Sequence, residues 1–180
     1  MKIDIKSVSN FNELTKYRGI IAYGIPQETA KIRKDEHDNK NIGVKTYNNA
    51  EILRLMENGS FLNNIPERPL LRPVLEKHKD QIFISLNKVN HFILNKQIAA
   101  ADMEMEKLAF RVETWTKAYF TDPDNNWAPN AYITVHGGWM RNKKTGKPIY
   151  IEGKHSNRPL IDTGSLRQAI RGVFYRNGKD

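Results

Sequence analysis

At 180 residues, with 39% hydrophobic residues and no cysteine, the chain has the size of one domain and excludes disulfide staples, thiolate metal sites and cysteine nucleophiles. Lys plus Arg at 29 against Asp plus Glu at 20 leaves a formal charge of +9, a field that attracts polyanions. The first residues alternate charged and apolar side chains without the apolar stretch of a secretory signal, and no run approaches the roughly 18 apolar residues of a membrane span, so a protein made and kept in a cytoplasm is expected.

Residues 18 to 25, β-branched and aromatic and closed by Pro26, read as a first strand. Gln27 to Asn41 carries charges in near succession with no apolar face, which predicts an exposed loop or hairpin. Ile42 to Tyr47 reads as a second strand. Asn48 or Asn49 then caps a helix with Ile52, Leu55 and Met56 on its apolar side, ended by Asn58-Gly59. Pro66 and Pro69 force extended backbone, and Pro73 sits where the first turn of a helix tolerates it.

Leu71, Val74, Leu75, His78, Ile82, Leu86 and Val89 recur at helical steps and predict one packed helix. A longer helix is predicted from Ala99 to Thr121, its stripe formed by Met105, Leu108, Ala109, Val112, Trp115 and Tyr119 and its polar side by Asp102, Glu106, Arg111, Glu113 and Lys117. Asp122-Pro123 stops it. Residues 124 to 130 are turn-rich, Gly137-Gly138 reads as a flexible joint, and a short hairpin follows over 139 to 152. A turn or cap at Asp162 to Ser165, a brief amphipathic segment with Leu166, Ala169 and Ile170, and a strand around Val173 to Tyr175 close the chain.

Leu160-Ile-Asp-Thr-Gly-Ser165 matches the aspartic protease signature, whose chemistry needs two aspartates sharing a proton. A single copy serves only in a homodimer, with Asp162 of each copy supplying one aspartate of the pair. The rival reading makes Asp162 or Thr163 a helix cap, with Gly164 easing the turn. The five histidines lack metal-ligand spacing, so neither a metal nor any other cofactor is expected; His78 falls on an apolar helix face and reads as a hydrogen-bonded core histidine. The densest basic stretch holds Arg141, Lys143, Lys144, Lys147, Lys154 and Arg158 against Glu152 alone, with Trp139 and Tyr150 near them; it is expected to face DNA or an acidic partner, a solvated loop being the rival reading.

Three ordered segments carry a family resemblance: Asn49-Ala50-Glu51-Ile52 through Glu57-Asn58-Gly59, then Ile65 to Pro73 with Pro66, Arg68, Pro69 and Arg72, then Pro159 to Arg167 with Asp162, Thr163, Gly164 and Leu166. Together they resemble neck, tail-completion and minor tail proteins of tailed bacteriophages, and Trp127-Ala128-Pro129-Asn130 with Thr134 resembles a further segment found between them. Departures are Glu67 and Leu70, where the family often has Ala and Phe, the insertion over 27 to 41, and an enlarged basic hairpin over 139 to 157.

The resemblance implies an α+β fold, with an antiparallel sheet packed against a long helix, a second helix, and extended basic and charged loops on a single domain. It also implies a non-enzymatic virion protein, made in the host cytoplasm, that forms a homo-oligomeric ring at the neck or top of the tail. Its neighbours would be portal, adaptor or tail tube, with non-specific contact to packaged DNA. On this sequence Arg68 and Arg72 are expected to pair with carboxylates or carbonyls, Asp162 being one acceptor. A dimeric aspartic protease and a free basic DNA-binding protein are the alternatives.

Overall fold

The computed structural model describes residues 14–27, 48–142, 145–153, 155, 157, 159 and 164–176; the charged stretch after Gln27 and the strand expected over 42–47 lie outside them. In chain order the elements are strand β1 (Gly19–Gly24), helices α1 (Asn49–Asn58), α2 (Leu71–Lys77), α3 (Lys79–Leu94), α4 (Ile98–Tyr119) and α5 (Tyr132–His136), strands β2 (Gly138–Arg141) and β3 (Pro148–Ile151), helix α6 (Ser165–Ala169) and strand β4 (Arg171–Arg176). The fold is α+β. β1 pairs antiparallel with β4, from Gly19 opposite Arg176 to Gly24 opposite Arg171, and β2 pairs antiparallel with β3. Among the described residues no helix is long and apolar enough to cross a membrane.

The long helix α4 organises the packing. Its stripe of Met105, Leu108, Ala109, Val112 and Tyr119 is buried as expected, each large side chain contributing about 1.5–3 kcal/mol on leaving water. One side of α4 meets α3; the other carries the β1–β4 ribbon. Asp102 and Glu113, expected on the solvent side, instead anchor that ribbon. Asp102 accepts from the Tyr17 hydroxyl at 2.8 Å and from Arg176 at 2.6 Å, and Glu113 accepts from the Gly172 backbone N–H at 2.9 Å and from Lys117 at 2.6 Å.

Around α4 lie two apolar clusters. One joins Leu53, Leu70, Val74, Tyr119, Phe120, Trp127, Leu166 and Ile170; the other joins Val89, Ile93, Ala101 and Met105 with Ile21 and Phe174 of the ribbon.

Three expectations are corrected. The single helix predicted through His78 breaks there, where φ is −110° and ψ 13°, into α2 and α3. The inward face nevertheless keeps its three- and four-residue steps through Val74, His78, Ile82, Ser85, Val89 and Ile93. Ser85, Val89 and Ile93 face inward while Leu75 and Leu86 are left 36% and 38% exposed. His78 itself is half-buried, stacked on Trp115 at 4.1 Å, with Nδ1 2.8 Å from Gln81 Oε1.

The second correction is α5, a helix inside a stretch expected to be turns and a joint. The third is the Gly137-Gly138 joint, which is a tight backbone crossing. A Cβ on Gly137 would stand 2.7 Å from the backbone of Gly153, and one on Gly153 would stand 2.5 Å from the backbone of Gly137.

A closer approach occurs at Gly172, where a Cβ would collide with the carbonyl oxygen of Ala109 in the middle of α4. Backbone lies on backbone there, so no side chain can yield. Gly172→Ala is expected to lower unfolding stability by about 2–3 kcal/mol in chemical denaturation, whereas Val173→Ala, on the neighbouring position, should cost about 1 kcal/mol.

Candidate functional site

Most of the family-motif residues within the described structure meet at the start of α2. Leu70 precedes that helix with an apolar side chain that cannot cap it. The carboxylate of Glu57, from the last turn of α1, takes the cap's place: it accepts from the backbone N–H of Leu70 at 2.7 Å, of Leu71 at 3.1 Å and of Arg72 at 3.3 Å. Pro73, next in line, has no N–H. The four N–H groups that a helix start leaves without partners are therefore three bonded and one absent, and a negative charge sits on the positive end of the helix dipole.

The turn that carries the chain from Glu57 to Leu70 is equally determined. Asn48 caps α1 through a reciprocal box with Glu51, at 2.9 and 3.1 Å. Gly59 ends α1 at φ +63°, where a Cβ would stand 2.9 Å from the Ile65 carbonyl oxygen. Ser60 and Ile65 exchange backbone hydrogen bonds of 2.8 and 2.9 Å, and the Arg68 N–H donates to the Met56 carbonyl at 2.8 Å.

Arg68 is 7% exposed, and its guanidinium donates to the carbonyls of Ala128 and Pro129, both at 3.0 Å. Burial pulls its pKa below the ordinary arginine value. The Trp127 indole N–H donates to the Pro69 carbonyl at 2.9 Å, and its ring packs edge-on against Tyr119 and Phe120. The expectation that Arg68 bonds carboxylates or carbonyls resolves to carbonyls. Arg72 contributes its backbone N–H while its residue stays exposed, as does Pro66.

At the C-terminal motif, Leu166 is buried in the first cluster and Gly164 opens α6 at φ +73°. Asp162 and Thr163 lie outside the described residues. α6 is tied to α1 by the Asn49 side chain, which donates to the Ser165 hydroxyl at 3.0 Å. Of the basic residues, Arg141 and Lys147 are exposed on the β2–β3 hairpin; Lys143, Lys144, Lys154 and Arg158 lie outside the described residues.

Two surface features went unread in the sequence. Phe61 and Leu62 occupy a short 3-10 turn at the tip of the Ser60–Ile65 bridge and are 96% and 87% exposed. Ile20 and Tyr175, opposite each other on the β1–β4 ribbon, are 56% and 53% exposed. The signal for the first was an apolar pair stranded between a helix-ending glycine and a proline, outside any periodic stripe. An open hollow of about 360 Å³ on α3, lined by Ile84, Asn87, Lys88, His91 and Phe92, gathers no carboxylate. No family model, curated protein or solved structure matches the chain.

Glu57→Ala is expected to cost about 2 kcal/mol by denaturant unfolding, since three N–H groups lose their acceptor together, and Glu57→Gln should recover only part of that. A pH-dependent consequence lies beside it. The Tyr23 hydroxyl donates to the Leu71 carbonyl at 2.8 Å, and burial, then the charge of Glu57, push its pKa up to about 12 from 10.0. A raised pKa means its contribution is whole below pH 10 and is lost as pH rises towards 12. Thermal midpoints measured across that window should fall less steeply in Tyr23→Phe than in the wild type.

Proposed function

We propose that the chain is a non-enzymatic structural subunit of a tailed-phage particle, a neck or tail-completion protein assembled in the host cytoplasm into a ring around the DNA channel. The ordered motifs support an architectural role, because most of those described meet in one hydrogen-bonded junction whose polar groups are occupied by backbone. Glu57 is engaged by three N–H groups and Arg68 by two carbonyls, so neither is presented to a substrate.

The observation that carries assembly is the Phe61-Leu62 tip. Two large apolar side chains, almost wholly in water, sit on a turn clamped at its base by the Ser60–Ile65 bridge. A clamped turn cannot fold back to hide them, and no described residue covers them, which suits burial against another molecule. In a ring that molecule is the adjacent copy, met head-to-tail, or a portal, adaptor or tail-tube neighbour. The excess of positive charge suits a position near packaged DNA.

Mass measurement at high protein concentration, with electron microscopy of the same sample, tests this reading. Rings or defined oligomers are expected of the wild type. Phe61→Ser with Leu62→Ser should leave the thermal midpoint within about 2 °C, since nothing buried is removed, and should abolish the oligomer. A wild type that remains monomeric, and is absent from purified particles, would rule the reading out.

A further inference from the structure

We propose that the outer face of the β2–β3 hairpin binds an unpaired nucleic-acid strand, with Trp139 and Tyr150 as stacking surfaces for its bases and Arg141 as the adjoining phosphate contact. The register sets Trp139 opposite Tyr150 and Arg141 opposite Pro148. Side chains alternate along a strand, so Trp139, Arg141, Pro148 and Tyr150 share one face, and Met140, Ile149 and Ile151 the other. The first face is the wetter one, Met140 on the other being 37% exposed. Trp139 is 72% and Tyr150 59% exposed, while Ile149 and Ile151 are partly buried.

The two rings stand 5.4 Å apart at 66°, in edge-to-face contact, so each holds the other upright and keeps open ring surface in water. Exposing a Trp and a Tyr side by side is costly unless something planar covers them. What the hairpin attracts is set by its charge: residues 138 to 151 hold Arg141, Lys143, Lys144 and Lys147 and no acid, on a chain of net charge +9. A planar, apolar-faced group on a polyanion is a nucleobase. In a duplex the base faces are hidden in the stack, leaving only phosphates and groove edges, which would use the cations and ignore the rings. The aromatic pair therefore selects an unpaired strand, or a duplex end whose strands have parted.

Resting on the reading of the hairpin as turned towards nucleic acid, this assignment is independent of ring formation: the mass measurement fails if assembly is wrong, and the comparison of strands fails if stacking is wrong. Fluorescence anisotropy with the full chain at low salt would use three labelled probes of about a dozen nucleotides: a thymidine strand, an abasic strand with the same phosphates, and a duplex. The thymidine strand should bind at least about ten-fold tighter than the abasic strand, and its binding should quench tryptophan fluorescence.

Trp139→Ala with Tyr150→Ala should reduce thymidine-strand affinity to the abasic level and leave abasic and duplex affinities within about two-fold. Trp139→Phe with Tyr150→Phe should retain most of the preference, since the rings remain. Equal affinity for thymidine and abasic strands would overturn the proposal, as would an aromatic variant that loses nothing. Binding of the duplex alone, or of no probe, overturns it too; the latter would leave an acidic protein as the partner of the hairpin's charge.

Discussion

The chain's architecture depends on how two charged side chains are neutralised by backbone. Glu57 spends its carboxylate on the exposed N–H groups at the start of α2, and Arg68 spends its guanidinium on the carbonyls of Ala128 and Pro129. A helix start inside a protein leaves donors that water can no longer satisfy, and an irregular segment leaves acceptors; each orphaned group costs about 1–3 kcal/mol. Placing an anion from α1 on the first and a cation from the connecting segment on the second fixes three stretches of chain relative to one another. The Trp127 indole, donating to Pro69, closes the same loop from the other side. Leu70, Val74 and Leu53 fill the apolar cluster beneath, below N–H groups bonded to Glu57 and carbonyls bonded to Arg68.

A second constraint comes from α4, which serves two neighbours with different chemistry. Towards α3 it offers Ala101 and Met105 to Val89 and Ile93, and Arg111, which donates to the Ser85 hydroxyl at 3.0 Å. Towards the ribbon it offers Asp102 and Glu113, and between them the bare backbone at Ala109, against which Gly172 lies. The carboxylates bind Arg176 and the Gly172 N–H, one near each end of β4, so the strand is held at two points and cannot slide by a residue without losing both. Burial raises the Glu113 pKa, but the Lys117 ammonium and the Gly172 N–H outweigh it and hold the carboxyl below its ordinary value. This anchor stays charged well into acid, and its contribution is lost only as pH falls through that lowered value.

Local rules made part of this legible. The cap at Asn48, the stop at Gly59, the stripe of α4 and the hairpin within 139 to 152 all involve residues within a few positions of each other, where spacing determines geometry. The junction was legible only as a set of motifs, because its bonds join Glu57 to Leu70 across 13 residues and Arg68 to Ala128 and Pro129 across 60 and 61. Nothing in Arg68's neighbourhood says that its acceptors are carbonyls. The break at His78 was hidden for the opposite reason: apolar residues continue at helical steps on both sides of it, so periodicity alone joins what the backbone separates. Gly172 was hidden too, since a glycine within a strand reads as a weak point and not as a seat for a helix.

Some surfaces of the molecule remain unfinished. In the described residues the two apolar clusters are closed, and the buried charges are met by backbone or by ion pairs. Yet Phe61, Leu62, Ile20, Tyr175, Trp139 and Tyr150 stay in water, on a clamped turn, a ribbon face and a hairpin. None of these positions has the freedom to retract, because each is held by backbone bonds: the Ser60–Ile65 bridge, the β1–β4 register and the β2–β3 register. Rigid backbone beneath exposed apolar side chains lowers the entropy that binding must overcome. The three patches differ in what surrounds them. The turn tip and the ribbon face are apolar pairs suited to protein, whereas the hairpin's pair is set among cations. In the proposed ring, a protein neighbour would meet the first two patches and a polyanion the third, the physical difference between the patches lying in charge and not in exposure.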